Sequence, residues 1–64
     1  MAFAENLKII REGMHLTKAQ AATRIGMTCQ QYDMLEREGS NPTIKTVERI
    51  ALNFGVSKSK LMGK

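Results

Sequence analysis

Few residues of this chain have the types and spacing that chemistry at a protein site requires. One cysteine, Cys29, and one histidine, His15, are present, which is too few for the four ligands of a structural zinc site. The sequence shows no nucleophile beside a base, no paired carboxylates and no glycine loop that could cradle a phosphate. A core formed by 64 residues is also too small to enclose a substrate pocket. We therefore expect neither an enzyme nor a bound metal, cofactor or small-molecule ligand.

The charge of the chain favours a polyanionic partner only weakly. Ten Lys and Arg residues stand against six Asp and Glu, a net charge of +4. Three of the basic residues lie close to the C-terminus, at positions 58, 60 and 64, so the rest of the chain is nearly neutral. Any nucleic-acid site must therefore be argued from the arrangement of residues rather than from bulk charge.

Two further features of the composition point to the cytoplasm. A single cysteine cannot form an internal disulfide, which suits a reducing compartment. No apolar stretch approaches the ~20 residues that span a membrane, and no signal peptide opens the chain. The initial methionine and the ending Met62-Gly-Lys favour a complete small protein over a fragment.

Apolar residues recur at helical spacing, and the signals for helix starts and ends are frequent. Thr17 and Thr28 are each followed three residues later by Gln, the pattern of a capping box. Thr43 and Ser57 are further candidate N-caps, and a glycine at 13, 26, 55 or 63 is typical of a helix end. These signals predict an all-α domain over residues 1–64, with helices at 3–12, 17–24, 28–37, 43–54 and 57–62.

The apolar faces of the five predicted helices are consistent with one core. The residues expected to line it are Phe3, Leu7, Ile10, Ala19, Ala22, Ile25, Tyr32, Leu35, Ile44, Val47, Ile50, Ala51, Phe54, Val56 and Leu61.

Residues 17–37 have the pattern of two helices joined by a very short turn. Ala22 is small where two crossing helices must approach closely, and Gly26 suits a sharp turn that needs a positive φ. Met27 and Tyr32 have the spacing of a hydrophobic staple, which fixes the angle at which the second helix begins. Together these offsets predict a helix-turn-helix motif.

Most of the chain resembles the lambda-repressor-like, or Cro/C1-type, helix-turn-helix family. The resemblance runs from Leu7 to about Met62, and its segments are LKIIR at 7–11, LT at 16–17, AA at 21–22, IGMT at 25–28, LER at 35–37, NPT at 41–43 and IALNFGV at 50–56. It implies a compact five-helix DNA-binding domain of the kind found in phage repressors and similar bacterial regulators. It also implies that the second helix of the motif lies in the major groove and that the first crosses the DNA backbone.

The resemblance assigns roles to individual positions. Contacts with base edges are implied for Thr28, Cys29, Gln30, Asp33 and Met34. Gln30 is the strongest of these, because a carboxamide can pair bidentately with adenine, whereas Asp33 could accept from cytosine N4 or simply be solvated. Contacts with phosphates are implied for Thr17, Lys18, Arg37, Ser40, Asn41, Thr43 and Lys45. Arg11 and Glu36 are implied to form an internal ion pair that orients the recognition helix.

Two residues depart from the pattern of the family. Cys29 stands where a polar reader is usual, so it either makes an apolar contact or makes the interface sensitive to oxidation. Tyr32 replaces a usual aliphatic residue, so its hydroxyl is expected to find a hydrogen-bond partner or to reach the surface.

The resemblance implies a sequence-specific regulator that binds a pseudo-palindromic double-stranded DNA operator as a homodimer. We expect Val56, Leu61 and Met62, with the exposed edge of the helix over 43–54, to form the dimer surface. The alternative is a protein-interaction module that kept the fold without specific DNA binding. Its support is Cys29 and the acidic residues on or near the recognition helix, namely Asp33, Glu36 and Glu38.

Overall fold

The computed structural model of the protein describes residues 3–37 and 41–63. Its helices are α1 (Phe3–Gly13), α2 (Lys18–Ile25), α3 (Cys29–Leu35), α4 (Ile44–Phe54) and α5 (Lys58–Met62). No strand occurs in these two ranges, so the all-α prediction is confirmed. The predicted helix bounds lie within two residues of the observed ones. No helix in the part of the chain that the structure describes is long and apolar enough to cross a membrane.

Helices α2 to α5 each begin at a residue whose hydroxyl accepts a backbone hydrogen bond. Thr17 Oγ1 accepts from the N–H of Gln20 at 3.1 Å, and the side chain of Gln20 accepts from the N–H of Thr17 at 2.9 Å. Thr28 begins a second reciprocal capping box in front of α3. Thr43 and Ser57 cap α4 and α5 through their hydroxyls. The predicted helix starts are therefore confirmed.

Helices α1, α2 and α4 are each followed within two residues by a residue in the left-handed conformation. Gly26, with φ of +89°, and Gly55, with φ of +68°, end α2 and α4 as predicted. After α1 this position is occupied by His15, with φ of +58°, while Gly13 is the last residue of the helix itself. The prediction that Gly13 provides the left-handed turn was wrong, because the turn forms two residues later. Histidine is one of the few non-glycine residues enriched in this conformation.

A partly buried apolar residue joins each of these three helix ends to the next cap. The three are Leu16, Met27 and Val56. The N–H of each donates to the carbonyl five residues earlier, which closes the preceding helix. The residues five positions after them are fully buried: Ala21, Tyr32 and Leu61. This is the spacing of a hydrophobic staple, so one residue at each junction ends one helix and sets the direction of the next.

The core is built from the inward faces of all five helices. Its members are Phe3, Leu7, Ile10, Ala21, Ala22, Ile25, Tyr32, Val47, Ile50, Ala51, Phe54 and Leu61. Two predicted core residues are exposed instead. Ala19 lies in the first turn of α2, where Ala21 faces the core in its place, and Ile44 is the first residue of α4, ahead of the buried Val47.

Helix α5 is attached to α1 by a buried polar contact. The side-chain amide of Asn6 donates to the carbonyl oxygen of Leu61 at 2.9 Å. A buried carbonyl without such a donor would carry the full desolvation cost, about 1–3 kcal/mol. Asn6 therefore fixes the C-terminal helix in place, a role that the sequence did not predict.

Candidate nucleic-acid interface

The turn between α2 and α3 is held by an arginine from α4. Arg49 donates from Nε to the carbonyl oxygen of Ile25 at 3.0 Å and from Nη2 to that of Gly26 at 3.1 Å. The positive φ of Gly26 favours glycine, and a Cβ atom there would lie 2.9 Å from Arg49 Nη2, so a side chain at this position would also displace the guanidinium. Nothing local in the sequence indicates Arg49, because the contact joins residues more than twenty positions apart.

The C-terminal end of α3 is tied to α1 by the ion pair that the resemblance implied. Arg11 Nε donates to Glu36 Oε2 at 2.6 Å and Nη2 donates to Oε1 at 3.2 Å. Both side chains are withdrawn from solvent, with 10% and 3% of their surface exposed. Arg11 also donates from Nη1 to the carbonyl oxygen of Leu16 at 2.8 Å. The guanidinium thus connects α1, the junction before α2, and the end of α3.

Tyr32 is the one residue of α3 that is fully buried. Its hydroxyl makes no hydrogen bond to the described residues, so the expectation that it would find a partner or reach the surface was wrong. Burial raises the pKa of this hydroxyl, and the adjacent Glu36 carboxylate raises it further. The ring therefore supports α3 as an uncharged apolar body under the outward-facing side of the helix.

The outward-facing side of α3 carries most of the predicted base readers. Cys29, Gln30 and Met34 are exposed, and their side chains make no hydrogen bond within the described parts of the chain. Residues three or four positions apart share a helix face, so Gln30 and Met34 project together. Thr28 is exposed as well, but its hydroxyl caps the helix through Gln31.

The remaining predicted reader, Asp33, forms ion pairs with two of the predicted phosphate contacts. Lys18 Nζ lies 2.7 Å from Asp33 Oδ1, and Arg37 Nη2 lies 3.5 Å from Asp33 Oδ2. The three side chains stay open to solvent, with 46%, 37% and 71% of the surface of Lys18, Asp33 and Arg37 exposed. The hydrogen bond and charge of Lys18, and then the charge of Arg37, lower the pKa of Asp33, and Asp33 raises the pKa of Lys18. We call these three residues the Asp33 cluster.

Replacing Lys18 by alanine is expected to raise the pKa of Asp33 toward its usual value of about 3.9, because the main charge partner is lost. The pKa is measured by following the carboxyl carbon in an NMR titration. The pKa of Asp33 is lower in the folded protein than in the unfolded chain. The cluster therefore stabilises the fold fully at pH values above the unfolded pKa, and this stabilisation is lost as the pH falls through the folded pKa. Lys58→Ala, which removes the partner of Glu48 instead, should leave Asp33 unchanged, and equal values for Asp33 in both variants would contradict the prediction.

The other predicted phosphate contacts divide between the starts of α2 and α4. Thr17 caps α2 beside Lys18, and Thr43 caps α4. Asn41 and Lys45 are exposed, and no partner of the Lys45 ammonium occurs among the residues that the structure describes. Ser40, together with the Glu38 of the alternative interpretation, lies outside the described residues.

Comparison with known proteins supports the same motif. A family model described as "Helix-turn-helix" matches residues 7–61. The chain belongs to the Cro/C1-type helix-turn-helix family. Membership of this family supports a function as a DNA-binding regulator and not as an enzyme, which the sequence also predicted. In this helix-turn-helix domain α2 and α3 form the motif, and we call its second helix, α3, the recognition helix.

A repressor from a phage is similar to nearly the whole chain. The immunity repressor protein of Bacillus phage phi105 is 29% identical over 63 residues, which cover 98% of this chain and 44% of the repressor. The chain thus spans less than half of the length of that relative. No solved structure matches the chain.

The predicted dimer surface of the helix-turn-helix domain is only partly exposed. Met62 is exposed and Val56 is half-buried, but Leu61 is fully buried. Assigning Leu61 to the dimer surface was wrong, because it follows the Ser57 cap at the position where the side chain turns into the core. The most exposed apolar residue in this region is Leu52 on α4, with 83% of its surface open.

A shallow groove of about 590 Å³ runs beside Leu52, between α4 and the start of α5. Its lining residues are Glu48, Ala51, Leu52, Gly55, Val56, Ser57 and Lys58. Within it Lys58 Nζ lies 3.5 Å from Glu48 Oε2, so both signs of charge border an apolar floor.

Proposed function

We propose that this helix-turn-helix domain is a sequence-specific transcriptional regulator that binds a pseudo-palindromic operator in double-stranded DNA as a homodimer. The observation that supports it most is the outward-facing side of α3. Cys29, Gln30 and Met34 are exposed there and unpaired within the described chain, while Arg49 holds the turn before the helix and Arg11 holds its C-terminal end. Similarity to a phage immunity repressor supports the same function.

Base recognition is assigned to this face of the recognition helix. The carboxamide of Gln30 can donate to adenine N7 and accept from adenine N6 in the major groove. Met34 and the Cys29 thiol offer apolar contact to a thymine methyl group, which needs no hydrogen bond from sulfur. Thr28 lies at the start of the helix, and Asp33 can accept from the exocyclic amine of cytosine.

Phosphate binding is assigned to two groups of residues that fix the register of the domain on the duplex. The first is the start of α2, with Thr17 and Lys18, and the second surrounds the start of α4, with Asn41, Thr43 and Lys45. Arg37 and Ser40 complete the predicted set. Lys45 is the simplest of these cations to test, because its ammonium is exposed and unpaired within the described chain.

Dimerisation is assigned to the groove beside Leu52, together with Val56 and Met62. A two-fold interface uses the same patch on both subunits, so Leu52 of each copy can enter the groove of the other. Glu48 and Lys58 can then exchange partners across the axis, which keeps both charges paired. Such a dimer places two recognition helices about 34 Å apart, one turn of DNA.

The experiment that tests the proposal is selection of the protein against a random duplex library at near-physiological salt. An inverted repeat with half-sites about 10 base pairs apart should be enriched. Gln30→Ala is then expected to lower discrimination at a single base position by about 10-fold or more. Lys45→Ala, the control, should weaken binding to all sequences alike and reduce the salt slope by about 1. Absence of enrichment at every salt concentration would reject the proposal.

The protein-interaction alternative has less support in the structure than in the sequence. Glu36 is buried against Arg11 and offers no acidic surface, and Asp33 already faces two cations. The described carboxylates of α3 and its end therefore do not form an acidic face that a protein partner could bind.

A further inference from the structure

One carboxylate contacts both of the cations that flank the recognition helix in the free protein. Asp33 lies on α3, Lys18 is the first residue of α2 and Arg37 follows the end of α3. The contacts of 2.7 and 3.5 Å use different oxygens of Asp33, so the two cations do not compete for one atom. In this arrangement the carboxylate occupies the place that a DNA phosphate would take beside each cation.

We infer that Asp33 is a specificity-determining residue that couples base recognition to phosphate binding. It holds Lys18 and Arg37 until a base that donates a hydrogen bond takes their place on the carboxylate. The inference rests on the proposed function and adds to it, because it assigns one residue control over how strongly the domain binds DNA of the wrong sequence.

On DNA without a suitable base, the cluster reduces affinity. If Lys18 leaves Asp33 for a phosphate, the carboxylate faces the negatively charged duplex without its main partner, which is unfavourable. If Lys18 stays, a phosphate loses its cation, and fewer counterions are released on binding. Either outcome weakens binding that depends on backbone charge alone.

On DNA with a suitable base, the penalty is removed. The exocyclic amine of cytosine presents a donor in the major groove that suits a carboxylate. Once Asp33 accepts from that amine, Lys18 and Arg37 are released to the backbone. The exchange is accessible because all three side chains are open to solvent, and exposed ion pairs of this kind are weak.

The chain contains a matched control for the charge change. Glu5 is an exposed glutamate in the first turn of α1, and its carboxylate makes no ion pair within the described residues. It belongs neither to the proposed DNA interface nor to the proposed dimer surface. Asp33→Asn and Glu5→Gln therefore each remove one negative charge from a side chain open to solvent, and only the first touches the proposed DNA interface.

The test measures affinity for a duplex of mixed sequence that lacks any selected operator, across a salt series. Asp33→Asn is expected to raise this non-specific affinity about 10-fold and to steepen the slope of log affinity against log salt by about 1 to 2, as one or two cations become free. Glu5→Gln should change the affinity by less than about 2-fold and leave the slope unchanged. Discrimination between operator and mixed duplex should fall for Asp33→Asn alone.

A second comparison separates this inference from a general effect of charge. In a Lys18→Ala/Arg37→Ala background, Asp33→Asn should lose most of its effect on the salt slope, because no held cation remains to be released. Equal effects of Asp33→Asn and Glu5→Gln, or an unchanged effect in that background, would overturn the inference. Failure of the wild-type protein to enrich any operator would instead count against the proposed function, since the mixed-duplex measurement does not depend on one.

Discussion

Glu36→Leu is expected to leave most of the domain unfolded at room temperature. The Arg11 guanidinium, with 10% of its side chain exposed, would lose both hydrogen bonds to the Glu36 carboxylate. Removal of one partner from a buried ion pair typically costs about 3–5 kcal/mol. A single core of this size rarely provides more than about 3–5 kcal/mol of stability. Circular dichroism at 222 nm during urea and thermal unfolding measures the loss.

Two variants distinguish an unpaired charge from a general loss of packing. The double variant Arg11→Met/Glu36→Leu replaces the pair by apolar side chains and should recover much of the lost stability, as buried ion pairs replaced by apolar groups often do. Glu48→Leu removes a glutamate whose ion pair is exposed instead of buried, and it should shift the unfolding midpoint little. A stable Glu36→Leu protein, or a double variant no better than the single one, would contradict this account of the pair.

Leu52→Glu is expected to lower affinity for the operator by about 100-fold or more. The change places two like charges in the apolar centre of the proposed dimer, so the subunits would bind as separate monomers. In a dimer, binding of one subunit holds the other at a high effective concentration beside its half-site. Loss of this linkage can lower the overall affinity by a factor of about 10²–10⁴. Sedimentation equilibrium measures the dimer, and a mobility shift on the selected inverted repeat measures the affinity.

Controls for Leu52→Glu come from the same helix and from shorter DNA. Ile44 is also strongly exposed, with 76% of its surface open, but it lies at the other end of α4. Ile44→Glu should therefore leave the dimer intact. Affinity of Leu52→Glu for an isolated half-site should remain within a few-fold of the wild type. A dimer that survives Leu52→Glu would place the interface elsewhere.

Helix starts and the turn of the motif could be predicted because their determinants are local. Thr17 and Thr28 each meet a Gln three residues later, and Gly26 stands where the backbone needs a positive φ. These signals arise from hydrogen bonds and backbone conformations within one helical turn, so the spacing of residues in the sequence reveals them. The same logic explains the error at α1, where His15 rather than a glycine adopts the left-handed conformation.

The polar contacts between helices could not be predicted, with one exception. Arg49 with Ile25, Asn6 with Leu61 and Lys18 with Asp33 join residues that are 15 to 55 positions apart. Periodicity shows which face a residue occupies but not which distant group it meets. The Arg11–Glu36 pair was anticipated through resemblance to a family and not through spacing.

The position of Leu61 illustrates a signal that was present but not used. Val56, Ser57 and Leu61 repeat the offsets of Met27, Thr28 and Tyr32, for which a staple was predicted. Applied to α5, that pattern directs Leu61 into the core, where the structure has it. The dimer surface then depends on Leu52, whose exposure no local pattern reveals.

The junction residues Leu16, Met27 and Val56 have a consequence for how quickly the domain forms. Each one packs between helices that are neighbours in the chain, so much of the packing is specified without closing a long loop. Chains whose contacts are mainly local lose little entropy in closing loops. Helical domains of this kind fold in microseconds to milliseconds. A domain with these junctions is folded almost as soon as it is synthesised, so the concentration of folded domain follows translation without a delay.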